Sequence, residues 1–450
     1  MNHAYDVLVI GTGAAGSRAA AAAKRNRLST AIVDHRSYGG TCPQRGCDPK
    51  RVLAGIAEIY DDASRVNGKG LTGEVSLSWK DLVQYKNTFT TPVPEQVESS
   101  LKEKGIDTYH GTASFIDPNT IKVGEHQLQA GKFVIATGAS PASLPIEGSE
   151  HMITSDDFFE LEELPDNLLF VGGGYISFEF AHLCARLGKN VTIVHRNRHV
   201  LEGFDKEITN KLVEHTKDLG VTIHTSTEVQ SIEKLTSGKF QAYVRKFDHE
   251  HELTADLVIH GAGRHANLKE LGLESIGLEY SKRGVPVNHN FQAIFHPHIY
   301  AAGDAAETGL KPLTPVAGEE AERLSRHLIH GEEQTPISLP VPSVVFTYPM
   351  LASVGITQQE AKENDIPYEV QSRNISDFFT YKRTDGPSAY VKLLINPFTD
   401  EILGAHFLSS YASHLINLFS FAMYKKATKQ DLQQMLWAYP TPESDIPSMF

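Results

Sequence analysis

Apolar and polar positions follow the same order in two separate stretches of the chain. In the first, the apolar run of YDVLVIG stops at glycines, a small-residue stretch GSRAAAAAKRNR follows, and a second apolar run, LSTAIVDHR, closes the set. In the second, NLLFVGGGYISFEFAHLCARLGKNVTIVHRNR repeats the order. Short continuous apolar runs bounded by turn residues read as buried strands, and the longer segment between them as a helix. Each stretch therefore predicts strand, glycine turn, helix, strand, the opening of a parallel sheet. Two further apolar runs end at glycine turns, KFVIATGASPASLP and HIYAAGDAAE. From Pro336 the pattern changes. TPISLPVPSVVFTYP is a proline-rich entry, AYVKLLINPFTDEILGAHFL alternates and turns like a hairpin, and ASHLINLFSFAMYKKATKQDLQQMLW has helical periodicity broken near Ala427–Thr428. The apolar positions of that helix suit a subunit interface and an ordinary core equally well.

The turns carry the first chemistry. Gly11, Gly13 and Gly16 stand in GxGxxG spacing. That spacing gives a tight turn, close backbone approach to a pyrophosphate, and a helix N-terminus with free N–H groups. Asp34 ends the next strand, about 20 residues on, where a carboxylate binds a ribose hydroxyl. In the second turn Gly172 and Gly174 fill the first two places and Ser177 the third. The following strand ends in His195-Arg196, with Arg198 beyond, and has no acid. Arginine without a ribose carboxylate favours a 2′-phosphate, hence NADPH over NADH. Two such units in one chain imply two dinucleotides and electron transfer between them.

Composition narrows the partners. The chain has 450 residues and a formal net charge of −13, which disfavours nucleic acid and anionic membranes. No apolar run is long enough to span a bilayer, and the first residues run straight into a strand with no leader, so a cytoplasmic protein is expected. Thiols are kept reduced there, which points a close cysteine pair toward redox chemistry or metal. Two of the three cysteines, Cys42 and Cys47, lie in GGTCPQRGCDPK. No second pair or histidine cluster completes a zinc set, and a bridge closing so short a loop constrains the unfolded chain little. Asp48-Pro49 reads as the N-cap and first-turn proline of a helix, KRVLAGIAEIYDD. The helix start lowers a nearby thiol's pKa and the Asp48 carboxylate raises it; the sequence leaves that balance open. The third cysteine, Cys184, reads as a buried helical thiol.

These stretches, in the order GTGAAG, GGTCPQRGCDPK, ATG, GGGYISFE, YAAGD, LTPVA and FTYPMLASVG, resemble the class I flavoprotein pyridine nucleotide-disulfide oxidoreductases. That class includes glutathione reductase, dihydrolipoyl dehydrogenase and mercuric reductase, and the match spans essentially the whole chain. The resemblance implies an α/β fold of two Rossmann-like dinucleotide-binding domains plus a C-terminal α+β dimerisation domain. FAD would lie on residues 1–145 and 262–334, NADPH on 146–261, and the dimer interface on 335–450. Gly11, Gly13, Gly16, Asp34, Gly40, Thr41, Gly138, Gly303 and Asp304 would hold FAD, Asp34 at the adenosine ribose and Asp304 at the ribityl chain. Gly172, Gly174, Tyr175, His195, Arg196 and Arg198 would hold NADPH, with Tyr175 covering the nicotinamide site. Cys47 would be the thiol facing the flavin, Cys42 the thiol that meets the acceptor, and Lys50 and Glu179 a pair near the reactive flavin nitrogen. A disulfide acceptor, small or protein, and a homodimer sharing its active site across subunits follow.

The tail departs from the family. Where His-Pro-Thr-x-Ser-Glu is usual, the chain reads WAYPTPESD, with Tyr439 in the histidine's place and Ser444 in the glutamate's. Tyrosine titrates at about 10 and is a poor base at neutral pH, though it still donates a hydrogen bond. The expected acceptor is therefore an activated sulfur species, a low-pKa disulfide, a metal ion or a quinone, rather than an ordinary alkyl disulfide. Another group, His414 among the candidates, could instead supply the proton. Alanines on the first helix, and Glu322 after LTPVA, stand where glutathione reductase has arginines, which speaks against glutathione. The tail has no vicinal cysteine pair, which speaks against mercury. Dihydrolipoyl dehydrogenase using NAD is the alternative enzyme, and a low-turnover flavin redox sensor the alternative of another class.

Overall fold

The computed structural model describes residues 2–450; Met1 lies outside the described residues. The chain divides into two compact units. One runs to Lys50 and resumes at Tyr85–Ala142 and Gly263–Ile337; the other takes Arg51–Gln84, Ser143–Ala262 and Ser338–Phe450.

The first unit is built on a sheet whose parallel strands lie in the order His296–Ala301, His126–Ile135, Asn2–Ile10, Thr30–Asp34, Asp107–His110. The sheet is covered on both faces, which is why its strands are continuously apolar instead of alternating. Val7, Val9 and Ile32 pack on the side of the helix Ala14–Arg25, while Leu8, Ile10 and Val33 enter a separate cluster on the other side. The carboxyl ends of these strands carry the first glycine turn and Asp34.

The second unit repeats the arrangement in four parallel strands: Thr222–His224, Asn190–Val194, Asn167–Val171 and Leu257–His260. The helix Tyr175–Arg186 follows the second glycine turn. Near its end, Arg186 forms an almost fully buried ion pair with Asp61 at 3.0 Å, and its guanidinium also donates to the Tyr348 carbonyl at 2.8 Å. A buried charge needs such saturation to be tolerated. The C-terminal residues form a five-stranded antiparallel sheet, ordered Ser343–Val345, Met350–Gly355, Ile402–Ser409, Tyr390–Ile395, Glu369–Asn374. The helix Ala412–Tyr424 buries Leu415, Ile416 and Phe419 against it and leaves Phe421 and Tyr424 exposed; further along, Leu436 is 95% exposed. The periodicity thus served a core face and left an apolar outer face. Among the described residues, no helix is long and apolar enough to cross a membrane.

Candidate active site

The first glycine turn is held by backbone contacts that no side chain could share. Gly11 has φ +108°, and a Cβ there would lie 2.2 Å from the Ala136 oxygen; one on Gly16 would lie 1.9 Å from the Gly11 oxygen. Gly13 is the N-cap of the helix and no side chain caps it, so the first N–H groups stay open for an anion. Gly40 comes so close that its Cβ would meet Gly13 Cα at 2.5 Å, and Thr41 then opens the short helix Thr41–Arg45. Asp34 accepts the Thr12 N–H at 2.8 Å and the Thr12 hydroxyl at 2.7 Å through Oδ2, and the Arg36 N–H at 3.0 Å through Oδ1. Gly138, with φ +68°, turns the chain after the strand His126–Ile135. Gly303 and Asp304 begin a single 3₁₀ turn after His296–Ala301. Burial pushes the Asp304 carboxyl up and the Arg264 charge pulls it back. An uncapped helix start, a side-chain-free floor and carboxylates at two strand ends fit the pyrophosphate, ribose and ribityl chain of FAD.

The dithiol sits in the same unit. Gly46 joins Thr41–Arg45 to the helix Cys47–Arg65, and a Cβ on it would press the Thr41 oxygen at 3.0 Å and Cys42 Cα at 3.3 Å. The longer helix begins at Cys47 itself, so Asp48 lies within its first turn and is not the N-cap expected from the sequence; the chain turns at Gly46, whose carbonyl accepts the Lys50 N–H at 3.3 Å. Pro49 falls in the first turn, where its missing N–H costs nothing. The Cys42 and Cys47 sulfurs are unbridged and share a hydrogen bond. That bond, more than anything else, lowers the Cys47 thiol to about 6; Thr314 and the Lys50 charge assist, while burial and Asp48 oppose. The same bond and burial push Cys42 up. The balance left open by the sequence thus falls on the thiolate side at Cys47, because its partner sulfur outweighs Asp48. The Thr314 hydroxyl lies 3.6 Å from the Cys47 sulfur. Cys184 is buried in the apolar core of the second unit, and burial pushes its thiol up.

In the second unit Gly172 has φ +111°, and its Cβ would fall 2.4 Å from the Gly261 oxygen. Ser177 fits the third glycine place because Gly261 opposite has no side chain: a Cβ there would lie 1.9 Å from the Ser177 hydroxyl. Gly174 is an N-cap without side-chain capping, and Tyr175, the first helical residue, is exposed. Arg196 and Arg198 are exposed. His195, read from the sequence as a nucleotide contact, is half-buried and bonded through both ring nitrogens, to the Gly173 N–H and the His199 carbonyl. Glu179, between the buried Phe178 and Phe180, is 3% exposed and accepts the Phe346 N–H at 2.8 Å.

In the tail Tyr439 is 78% exposed. Thr441 caps the turn Pro442–Ser448, and Ser444 closes the capping box by accepting the Thr441 N–H at 3.2 Å, while its hydroxyl donates to the Thr441 carbonyl at 2.6 Å. Ser444 is thereby committed to the turn and does not orient residue 439. His414 is exposed on its helix.

Three contacts escaped the sequence reading. Thr314 reaches Cys47 from 267 residues away. Glu320, 2% exposed, accepts the Gly303 N–H and the Thr308 hydroxyl, each at 2.7 Å, and so fixes the turn bearing Asp304. Arg264 supplies the cation beside Asp304. The LTPVA motif marked the first region; nothing in local spacing marked the other two.

Comparison with known proteins identifies the family. Residues 5–321 match the family model described as pyridine nucleotide-disulphide oxidoreductase, and 341–449 match the dimerisation domain of the same family. The chain is 30% identical over 438 residues to a glutathione reductase of Burkholderia cepacia, covering 97% of this chain and 96% of that protein. It is 31% identical over 450 residues to a dihydrolipoyl dehydrogenase of Bacillus subtilis (strain 168), covering 97% and 93%. It is 32% identical over 453 residues to a mercuric reductase of Staphylococcus aureus, covering 97% and 80%. The chain belongs to the pyridine nucleotide-disulphide oxidoreductases, as an FAD-dependent enzyme with two dinucleotide-binding Rossmann-like domains and a C-terminal dimerisation domain.

Proposed function

We propose that the enzyme takes electrons from NADPH and passes them through FAD to a Cys42–Cys47 disulfide, and from there to an acceptor whose sulfur is a good leaving group. The observation that carries this reading is the placement of the dithiol: Cys42 and Cys47 lie on either side of the tight Gly46 turn, in the unit that bears the first glycine turn, with the Thr314 hydroxyl 3.6 Å from the Cys47 sulfur. Bound FAD supplies a relay that takes a hydride on one side and yields an electron pair on the other. Two electrons and a proton break the sulfur–sulfur bond, leaving Cys47 as thiolate and Cys42 as thiol. Cys42 loses its proton and attacks the acceptor disulfide, forming a mixed disulfide and releasing one thiol. Cys47 then attacks the Cys42 sulfur, re-forms the pair and releases the second thiol. In sum NADPH, a proton and RSSR give NADP⁺ and two RSH.

The raised Cys42 makes acid–base help matter. Tyr439 can donate a hydrogen bond to a departing sulfur but takes a proton poorly at neutral pH. An acidic leaving thiol needs no such help, and this supports activated acceptors. In this reading residues 1–145 and 262–334 hold FAD, 146–261 hold NADPH, and 335–450 form the dimer face, so that each Tyr439 serves the partner's dithiol. The exposed Phe421, Tyr424 and Leu436 support such a face. Lys50 and Glu179 would serve the flavin, and Tyr175 would cover the nicotinamide site. A reducing, cytoplasmic setting suits a redox-active cysteine pair.

The relatives divide between glutathione, dihydrolipoyl and mercuric substrates at 30–32% identity, so the choice of nucleotide rests on residues. With no carboxylate on the second turn and two exposed arginines, the reading expects higher kcat/KM for NADPH than for NADH. Replacing Arg196 and Arg198 together by alanine should raise KM for NADPH by about 10- to 100-fold and leave NADH nearly unchanged. Steady-state kinetics with both nucleotides decides this; equal losses for both, or a wild type that favours NADH, would reject it.

A further inference from the structure

The two glycine turns share a contact that neither glycine pattern announces. In the first, the residue after the leading glycine, Thr12, donates its N–H to the side chain ending the next strand, Asp34, at 2.8 Å. In the second, Gly173 occupies the same place and donates to the side chain ending its strand, His195, at Nδ1 and 3.1 Å. The acceptor has changed from a carboxylate to an imidazole.

That change fixes the ring's protonation. A backbone N–H can only donate, so Nδ1 must present its lone pair. The single proton of the neutral ring then sits on Nε2 and donates to the His199 carbonyl at 2.9 Å. The ring cannot swing aside freely. It lies against Gly173, where a Cβ would come within 2.9 Å of His195 Cγ, and the His195 backbone is tied to His224 and Thr227 on either side. The Gly173 carbonyl is held in turn by the Leu201 N–H at 2.9 Å.

We propose that His195 is a positioning residue that anchors the nucleotide-binding turn only as neutral imidazole, so that nicotinamide nucleotide affinity falls in the acidic range. The proposal rests on the reading that residues 172–198 hold the nucleotide. A second proton would place Nδ1–H against the Gly173 N–H, two donors facing each other, and release the turn. Burial holds the ring below the usual histidine range; Arg196 adds to this, while the hydrogen bond to the His199 carbonyl and Glu202 oppose it. His224, from the neighbouring strand, meets His195 through backbone only. The sign follows: the neutral, binding form dominates above the ring's lowered pKa, and affinity is lost as pH falls through it.

The test is equilibrium binding of NADP⁺ and NAD⁺ to the FAD-loaded enzyme between about pH 5 and pH 8. NAD⁺ is included because the 2′-phosphate of NADP⁺ itself titrates at about 6. Wild type should lose about tenfold in NAD⁺ affinity across that range. His195→Asn, whose Oδ1 stands in the place of Nδ1 and still accepts the Gly173 N–H, does not titrate and should bind NAD⁺ with a flat profile. His195→Ala should bind weakly at every pH. An Asn variant that keeps the wild-type profile, or a wild type that is already flat, overturns the proposal. If Arg196→Ala and His195→Ala both leave nucleotide binding intact, the nucleotide-site reading itself fails; if only Arg196 matters, this inference alone falls. Should the alanine variant not fold, the comparison of Asn with wild type still decides.

Discussion

Replacing Cys42 with serine is expected to abolish acceptor turnover, by about 10³-fold or more, while NADPH still reduces the flavin. Cys42 is the sulfur proposed to attack the acceptor, while Cys47 is proposed to face the flavin. The variant also reports on Cys47. The hydrogen bond from Cys42 is the largest influence lowering Cys47 to about 6. In the two-electron-reduced wild type, the long-wavelength thiolate–flavin absorbance should persist above about pH 6 and fade as pH drops through that value. In Cys42→Ser the fading should move to higher pH, because a serine hydroxyl is a poorer match for the vacated thiol donor in length and position. Cys47→Ser should lack the absorbance at every pH. Spectra across pH with turnover assays check all three, and a Cys42→Ser enzyme with unimpaired turnover would contradict the assignment.

Tyr439→His is expected to do the reverse and create activity. A histidine titrating at about 6.5 can hold and return the proton that Cys42 must lose. The gain in kcat/KM on an unactivated alkyl disulfide such as bis(2-hydroxyethyl) disulfide should be about 10²-fold, the lower end of what positioned acid–base groups contribute. An aromatic disulfide with an acidic leaving thiol should gain little. The gain should stay near this lower end because Ser444 is bound into the capping box and cannot orient the new ring. A Ser444→Glu change added to it should raise the gain further. A wild type already as fast on the alkyl disulfide as on the aromatic one would end the argument from Tyr439.

What the sequence made legible was what the backbone demands locally. Gly11 and Gly172 stand where φ is strongly positive and a Cβ would strike a neighbouring strand, so residue identity reports directly on conformation. Continuous apolar runs reported sheets covered on both faces. The cysteine spacing marked the dithiol, and the glycine at 46 fits a turn where a Cβ would press against Thr41 and Cys42. Contacts made between distant segments were illegible. Ser177 looked like a tolerated defect until Gly261, 84 residues on, proved to be its complement. Thr314 and Glu320 are ordinary helix residues in sequence; only the packed unit brings them to Cys47 and Gly303. At His195 the place at the strand end was legible, and the hydrogen bonds of its ring to the turn beside it were not.

The relay through the cysteine pair is tested most directly by anaerobic titration of the oxidised enzyme with NADPH, following the flavin spectrum and counting free thiols. The first equivalent should leave the flavin oxidised, free two thiols and raise the long-wavelength absorbance; only the second should bleach the flavin. Bleaching with the first equivalent, with no thiols gained and no such absorbance, would contradict the relay.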